Sequence, residues 1–455
     1  MPESSIKTVQ VPDRLFASKR AWAASNLSAR LLAGPWTADA IADGIDAVLG
    51  RLPVRLRNRL VVRLAAFGSG PYPPAPQTLT AYLIGSSYFP TPRERPVGAV
   101  LDPPMFAPFP AFARLPIPAL ETLGALADWL GETPEQLDWL ADQSRGHAGA
   151  DRSALQHYRY AFAAKRSGAL RLIEAPKPRL KTIQRRILDE ILSAVPVHTA
   201  AHGFVAGRSC LTGAQVHAGE TVVATFDLAQ FFPSIALPRI HGLFRRLGYP
   251  WAVARRLAGL STTITPKEVF RRVPAWQRPD WQVQALYGVP HLPQGAPTSP
   301  ALGNLLAWSL DRRLCGLARA AGGNYTRYAD DLAFSGGADF AAGLGRFGKT
   351  VAAIVREEGF ALNARKTRIM PRSTRQCVTG ILVNGHCNVA RTDFDALKAL
   401  LHNCVCLGPK SQNRDAVADF RRHLDGRVSW VEHVHPARGT KLRRLFARID
   451  WSASV

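Results

Sequence analysis

Along the first 118 residues apolar positions recur in short helical patterns that proline interrupts. The stretch "TADAIADGIDAVLGRL" (37–52) has helical spacing, whereas "GSGPYPPAPQ" (68–77) and "LDPPMFAPFPAFARLPIP" (101–118) read as extended connectors between small helices, because proline fixes φ and removes a backbone donor. From "IPALETLGALADWLG" (117–131) the pattern firms. Leu120, Leu123, Leu126 and Leu130 recur at three- and four-residue steps, the period of a one-sided helix. In "TPEQLDWLAD" Thr133 is placed to cap a second helix and Gln136 to close a reciprocal capping box. Two packed helices are expected there. No internal repeat is apparent.

Beyond residue 157 the period shortens. The segment "YRYAFAAKRSGALRLIEAPKPRLKTIQRRILDEIL" (158–192) predicts strand, basic turn, strand, proline break and helix. In "TVVATFDLAQFFPSI" (221–235), Val222, Val223 and Phe226 supply the β-branched and aromatic content of a buried strand that ends at Asp227. A bend and a helix start near Pro238 follow. "NYTRYADDLAFSG" predicts a hairpin: strand 324–328, a turn around Ala329 and Asp330, and strand 331–335.

Composition narrows the partners. A chain of 455 residues has room for two or three domains, or for one large multi-lobed enzyme. Its formal net charge of +24 points to a polyanionic partner, nucleic acid first and an anionic membrane surface second. No apolar run is long enough to span a bilayer and no leader pattern opens the chain, so a soluble cytoplasmic protein is expected. Six irregularly spaced cysteines suit a reducing compartment. Cys377, His386, Cys387, His402, Cys404 and Cys406 fall within thirty residues, but without a C-x2-C or H-x3-H pair they are expected to be buried thiols and not a zinc site.

The acidic residues carry the chemistry. Asp227 and the pair Asp330–Asp331 terminate strands of high β-propensity. Strands meeting in one sheet would bring three carboxylates together, and like charges at close range are tolerated when a divalent cation neutralises them. With no His or Cys among the donors, magnesium fits, and two ions about 4 Å apart would serve phosphoryl transfer on a nucleic acid.

These stretches resemble a known family. "DLAQFFPSI", "LPQGAPTSPALGNLLAWSLDRRL" (292–314), "YADDLAFSG" and "GFALNARKTRIM" (359–370) look like four successive palm motifs of reverse transcriptases, and "LRLIEAPKPRLKTIQRRIL" and "AHGFVAGRS" resemble the fingers motifs of the bacterial members. Within that family the chain most resembles the retron reverse transcriptases. "GAQVHAGE" (213–220) is similar to their N-A-x-x-H element, with Gly213 where asparagine is usual, and "CVTGILVN" (377–384) contains the V-T-G of their thumb region. The tail "LDGRVSWVEHVHPARGTKLRRLFARIDW" looks like the helical thumb, and no maturase or endonuclease domain is expected after it.

The resemblance implies an α+β fold with right-hand polymerase architecture: fingers, a palm of antiparallel sheet plus helices, and a helical thumb, preceded by a mostly helical N-terminal extension. The implied boundaries are 1–118 for the extension, 119–375 for fingers and palm, and 376–455 for the thumb. Asp227, Asp330 and Asp331 would hold two Mg²⁺ ions, with a backbone group of Phe226 or Leu228 as a further ligand. Phe232 would stack under the incoming sugar and exclude a 2′-hydroxyl, while Phe231 is expected in the core. Gln294 would track nucleotide and template. Lys165 and Arg171 would bind the triphosphate, and Lys366 would be the acid for the leaving pyrophosphate. Arg185, Arg186, Arg443 and Arg444 would contact phosphates, and RNA recognition would fall to His217 and to Val378, Thr379 and Gly380.

As implied by the family, the product would be a branched RNA–DNA molecule started from a 2′-hydroxyl of the enzyme's own structured non-coding RNA, in defence against phage, with dNTPs as substrates and an effector protein encoded alongside as a partner. The other readings are an intron-derived or abortive-infection reverse transcriptase and a non-catalytic RNA-binding scaffold.

Overall fold

The computed structural model describes residues 19–67, 74, 76–90, 105–141, 156–164, 168 and 170–452. Backbone contacts divide the chain into two compact units, one of residues 1–195 and 232–302, the other of residues 196–231 and 303–455.

The first unit opens with four helices, α1 (Lys19–Ala33), α2 (Ala38–Leu49), α3 (Val54–Phe67) and α4 (Pro76–Gly85). The Thr37 hydroxyl caps α2 by accepting from the Ala40 N–H, as its place before the apolar run predicts. Leu27, Leu31, Ile41, Ile45, Leu60, Leu64, Leu79 and Leu83 close a core of their own. The helix predicted from Leu120 starts later, at Leu123, because Thr122 caps it; Leu120 is buried outside the helix. Thr133 and Gln136 form the expected capping box at the head of Pro134–Leu140. The strands β1 (Tyr158–Ala164) and β2 (Leu170–Pro176) pair antiparallel, and helix Pro178–Glu190 begins at a second proline, two residues after the Pro176 that ends β2.

The second unit is built on an antiparallel sheet of order β4-β5-β3-β6, with β3 (Val222–Asp227), β4 (Gly323–Tyr328), β5 (Asp331–Gly336) and β6 (Arg368–Pro371). β3 is central, so Val222, Val223 and Ala224 are almost fully buried, which is why its sequence is apolar without alternation. Helix Ala338–Glu357 lays Phe347 edge-on to Phe334 of β5. A second, small hairpin joins β7 (Cys377–Val378) to β8 (Ile381–Leu382), and three long helices follow, Arg391–Leu407, Phe420–Val434 and Pro436–Phe446, with one short turn of helix, Pro409–Gln412, between the first two. The apolar faces of the long helices share one core with Val378, Ile381 and Val383. Gly439 lets the last two helices touch, since a Cβ there would overlap Glu432. The chain is thus a mixture of helices and antiparallel sheets with a helical N-terminal region. Among the described residues no helix is long and apolar enough to cross a membrane.

Of the cysteine cluster only Cys404 is buried; Cys377 and Cys387 are half-buried and Cys406 is exposed. The expectation of buried thiols therefore holds for one of them: Cys377 is on the small hairpin, Cys387 in the loop after it and Cys406 on the outer face of a helix.

Candidate active site

Asp227, the last residue of β3, stands directly across the ladder from Asp331, the first of β5. The Leu228 N–H donates to the Asp330 carbonyl at 2.8 Å, so 228 and 330 form a hydrogen-bonded pair. Asp227 and Asp331 are then the neighbouring non-hydrogen-bonded pair, whose Cα atoms approach to about 4.5 Å with side chains on one face. Phe226 and Leu228 both lie in this ladder, Phe226 opposite Leu332.

The hairpin turn delivers Asp330 beside them. Ala329 takes a left-handed φ of 54°, and Gly203 packs against it so closely that a Cβ would sit 2.8 Å from the Ala329 nitrogen. Beneath the turn, Arg327 is fully buried. It donates to both oxygens of the equally buried Asp311, to Asn304 Oδ1 at 2.9 Å and to the Ala329 carbonyl at 3.1 Å. The Tyr325 hydroxyl donates to the same Asp311 at 2.8 Å. Sequence reasoning passed over Arg327 and Asp311; a charge predicted to lie within a strand, with an acid on a nearby helical stretch, was the available signal.

Lys366 completes the cluster. It ends a short 3-10 helix, Ala364–Lys366, whose preceding residue Asn363 donates its N–H to the Asp227 carbonyl at 2.8 Å. Lys366 Nζ donates to Asp227 Oδ2 at 2.7 Å. Partial desolvation works against the ammonium, but the hydrogen bond to Asp227 and the charges of Asp330 and Asp331 outweigh it and hold the pKa above the ordinary lysine value. Asp331 moves the other way. The packed surroundings of its carboxyl, then Asp330 and Asp227, push it up to about 6 against the pull of Lys366, although the residue keeps an exposed edge. An acid cluster left short of positive charge behaves so.

Phe231 is core, 5% exposed with its ring 5.6 Å from Phe360. Phe232 is half-buried and opens the 232–302 segment of the first unit, where its carbonyl accepts from the Ile235 N–H. In that unit Gln294 is locked to β2: its N–H donates to Glu174 Oε2 at 3.3 Å and its carbonyl accepts from the Glu174 N–H at 2.8 Å. Glu174 is fully buried, and it also accepts from the Thr265 hydroxyl at 2.5 Å and lies 3.1 Å from His291 Nε2. Gly295, at φ 134°, fits only because it lacks a Cβ, which would come 3.0 Å from the Glu174 carbonyl. Glu174 was missed at the sequence level; an acid alternating with apolar residues on a strand carries no outward sign of its three partners. Arg171 is exposed on β2. Lys165 lies outside the described residues.

The family described as reverse transcriptase (RNA-dependent DNA polymerase) matches residues 163–381, which span every acid of the cluster and Lys366. The Mx65 retron reverse transcriptase of Myxococcus xanthus is 43% identical over 64% of this chain and 65% of its own length. The Mx162 retron reverse transcriptase of the same organism is 36% identical over 74% and 68%, and the Ec86 retron reverse transcriptase of Escherichia coli 32% identical over 62% and 77%. The chain belongs to the retron reverse transcriptases. It spans 65% of the Mx65 enzyme's length.

Reverse transcriptases use divalent metal ions. In this retron reverse transcriptase the three aspartates suit such an ion in kind, being all-oxygen and anionic. They are not closed around one: among the described residues no three His, Cys, Asp or Glu groups are arranged to hold a metal, and Asp227 is turned onto Lys366.

The structure corrects several expected RNA contacts. His217 is wholly buried, its ring nitrogens 2.7 Å from Ser335 Oγ on β5 and Thr326 Oγ1 on β4; it can position the hairpin but cannot touch RNA. Burial pushes its pKa down to about 3, so the ring is neutral. At Gly213, where the family usually has asparagine, an added Cβ would come 3.3 Å from the His202 side chain, so a side chain would crowd it. Val378 is 2% exposed and belongs to the core. Thr379 and Gly380 form the turn of the small hairpin at φ 49° and 88°, the two positive values of a type I′ turn, with Gly380 exposed. Arg186 lies over Trp129 and pairs with Glu190 at 2.9 Å, and Arg443 is tied to Asp425 and Glu432 between the last two helices. Arg185 and Arg444 are exposed.

Proposed function

We propose that this chain copies part of a structured non-coding RNA into DNA from a 2′-hydroxyl primer, giving a branched RNA–DNA product, and that it does so in defence against phage. The observation that carries the reading is the cross-strand pair Asp227–Asp331 with Asp330 and Lys366 beside it. In this reading the chain has right-hand polymerase architecture, with residues 1–118 as an N-terminal extension, 119–375 as fingers and palm and 376–455 as thumb.

Asp227, Asp330 and Asp331 would hold two Mg²⁺ ions, which when bound supply Lewis-acid activation of the attacking hydroxyl and charge relief on the leaving oxygen. The protein's own groups do the rest. Lys366, kept protonated by its acidic neighbours, donates a proton from Nζ to the departing pyrophosphate. Arg171 and Lys165 neutralise the triphosphate, the Glu174-braced turn presents Gln294 to the base pair, and Phe232 crowds a 2′-hydroxyl. Arg185, Arg444 and Gly380 face RNA, His217 acts through the hairpin, and an effector encoded alongside shares the complex in the cytoplasm.

The test is to purify the protein with its nucleic acid and sequence what accompanies it, alongside the Asp330→Asn variant. A short DNA joined to RNA through a 2′–5′ linkage, absent from the variant while RNA is still bound, is the expected result. Synthesis on any primed RNA without a cognate partner would favour an intron-derived or abortive-infection enzyme, and RNA retention with no DNA in either protein a scaffold.

A further inference from the structure

Helix α3 (Val54–Phe67) carries four arginines and no acidic residue. One of them, Arg57, is held by Asp46 of α2 in a two-pronged pair. Arg55, Arg59 and Arg63 recur every fourth residue on the solvent face, Arg51 lies three residues before the helix, and all four are exposed. Among the described residues none of Arg55, Arg59 and Arg63 has a carboxylate partner.

Two of these guanidinium groups are also drawn together. Arg63 sits 4.4 Å and Arg59 5.1 Å from the centroid of the same Tyr88 ring. Like charges at i and i+4 weaken a helix, and cations near its N-terminus oppose the macrodipole. An ordinary solvated face would intersperse acids along the row. Instead the row is purely cationic, and the ring fixes two rotamers that would otherwise have to be ordered on binding. Successive arginines stand about 6 Å apart along the axis, so three of them span about 12 Å of rigid positive edge.

We propose that the arginine row of α3 is a docking surface for the phosphate backbone of nucleic acid, carried by the N-terminal helices and not by the strands that carry the acids. The charge complementarity is to a strand bearing one phosphate per about 3.4 Å, and guanidinium forks suit phosphate oxygens. Val54 and Val62, 70% and 68% exposed beside the row, add apolar contact without reading sequence. The inference goes beyond the proposed activity, and binding can be measured without any synthesis.

The test uses the full chain freed of nucleic acid, the triple variant Arg55→Gln/Arg59→Gln/Arg63→Gln and its lysine counterpart, with equal thermal unfolding checked first. Dissociation constants are measured against KCl for a single-stranded RNA, for an RNA–DNA hybrid and for phosphatidylserine vesicles. The glutamine variant is expected to lose about two to three from the salt slope on nucleic acid and to bind at least about tenfold more weakly at low salt, with the lysine variant retaining the slope. A loss on RNA only, or on the hybrid only, identifies which of the two the row holds. An unchanged slope on both, a loss confined to vesicles, or a lysine variant as weak as the glutamine one overturns the proposal.

Discussion

The guanidinium of Arg327 meets the carboxylate of Asp311 through two hydrogen bonds, 2.7 and 2.6 Å long, with neither side chain exposed to water. The pair fixes the turn that presents Asp330 and Asp331, because the same guanidinium also holds the Ala329 carbonyl. Removing one partner strands the other charge. Asp311→Ala is expected to cost roughly 3–5 kcal/mol of stability, read as a lower urea midpoint. Replacing both, as Asp311→Leu with Arg327→Met, is expected to recover much of that stability while leaving DNA synthesis impaired, since the turn has lost its brace.

Relief of repulsion should be visible without catalysis. Asp331→Asn removes a carboxyl whose pKa is raised to about 6 by packing and by its acidic neighbours. In chelator the variant is expected to be more stable than the parent by on the order of 1 kcal/mol, discounted for the solvent-exposed edge. Added Mg²⁺ should raise the melting temperature of the parent more than that of the variant. A variant less stable in chelator would mean that the acids do not repel one another.

Glu174 should report on Gln294. Glu174→Ala leaves the Thr265 hydroxyl, the His291 ring and the Gln294 N–H without their acceptor, at about 1–3 kcal/mol for each buried group left unpaired. In steady-state synthesis the expected signature is a higher KM for dNTP with a smaller change in kcat, partly restored by Glu174→Gln. An equal fall in kcat alone would count against a positioning role.

Ribose discrimination is expected to rest on Phe232. Phe232→Val should lower the preference for dNTP over rNTP by about tenfold or more in kcat/KM, with dNTP incorporation retained. No change in the ratio would remove Phe232 from the sugar site.

His217 predicts a pH dependence of stability. Its folded pKa of about 3 lies below the unfolded value of 6.5 because burial opposes the charge, so the unfolded chain binds the extra proton between those values. Stability is then full above about pH 6.5 and falls as pH drops, by about 2 kcal/mol between pH 7 and pH 5 from this residue. His217→Asn should flatten the part of the urea-midpoint profile due to this ring over that window, at some cost in stability at neutral pH.

Much of the local structure was legible in the sequence because short-range chemistry decides it. The Thr133 box, the proline start of helix Pro178–Glu190, the ending of β3 at Asp227 and the 324–335 hairpin all follow from capping, ring geometry and β-propensity within a few residues. The acids were legible for the same reason, since like charges closing apolar strands stand out in the chain itself.

Tertiary structure decided what depends on partners far apart. Whether Asp227 faces Asp331, or that residue's neighbour, turns on strand register, and a slip of one residue would send the side chains to opposite faces. Arg327 with Asp311, Glu174 with Gln294, and His217 between Ser335 and Thr326 join positions 16, 120 and 118 or 109 residues apart in the chain. Their meaning lies in burial, which no single stretch encodes: a polar group reads as exposed until the fold surrounds it and supplies the hydrogen bonds that let it stay inside.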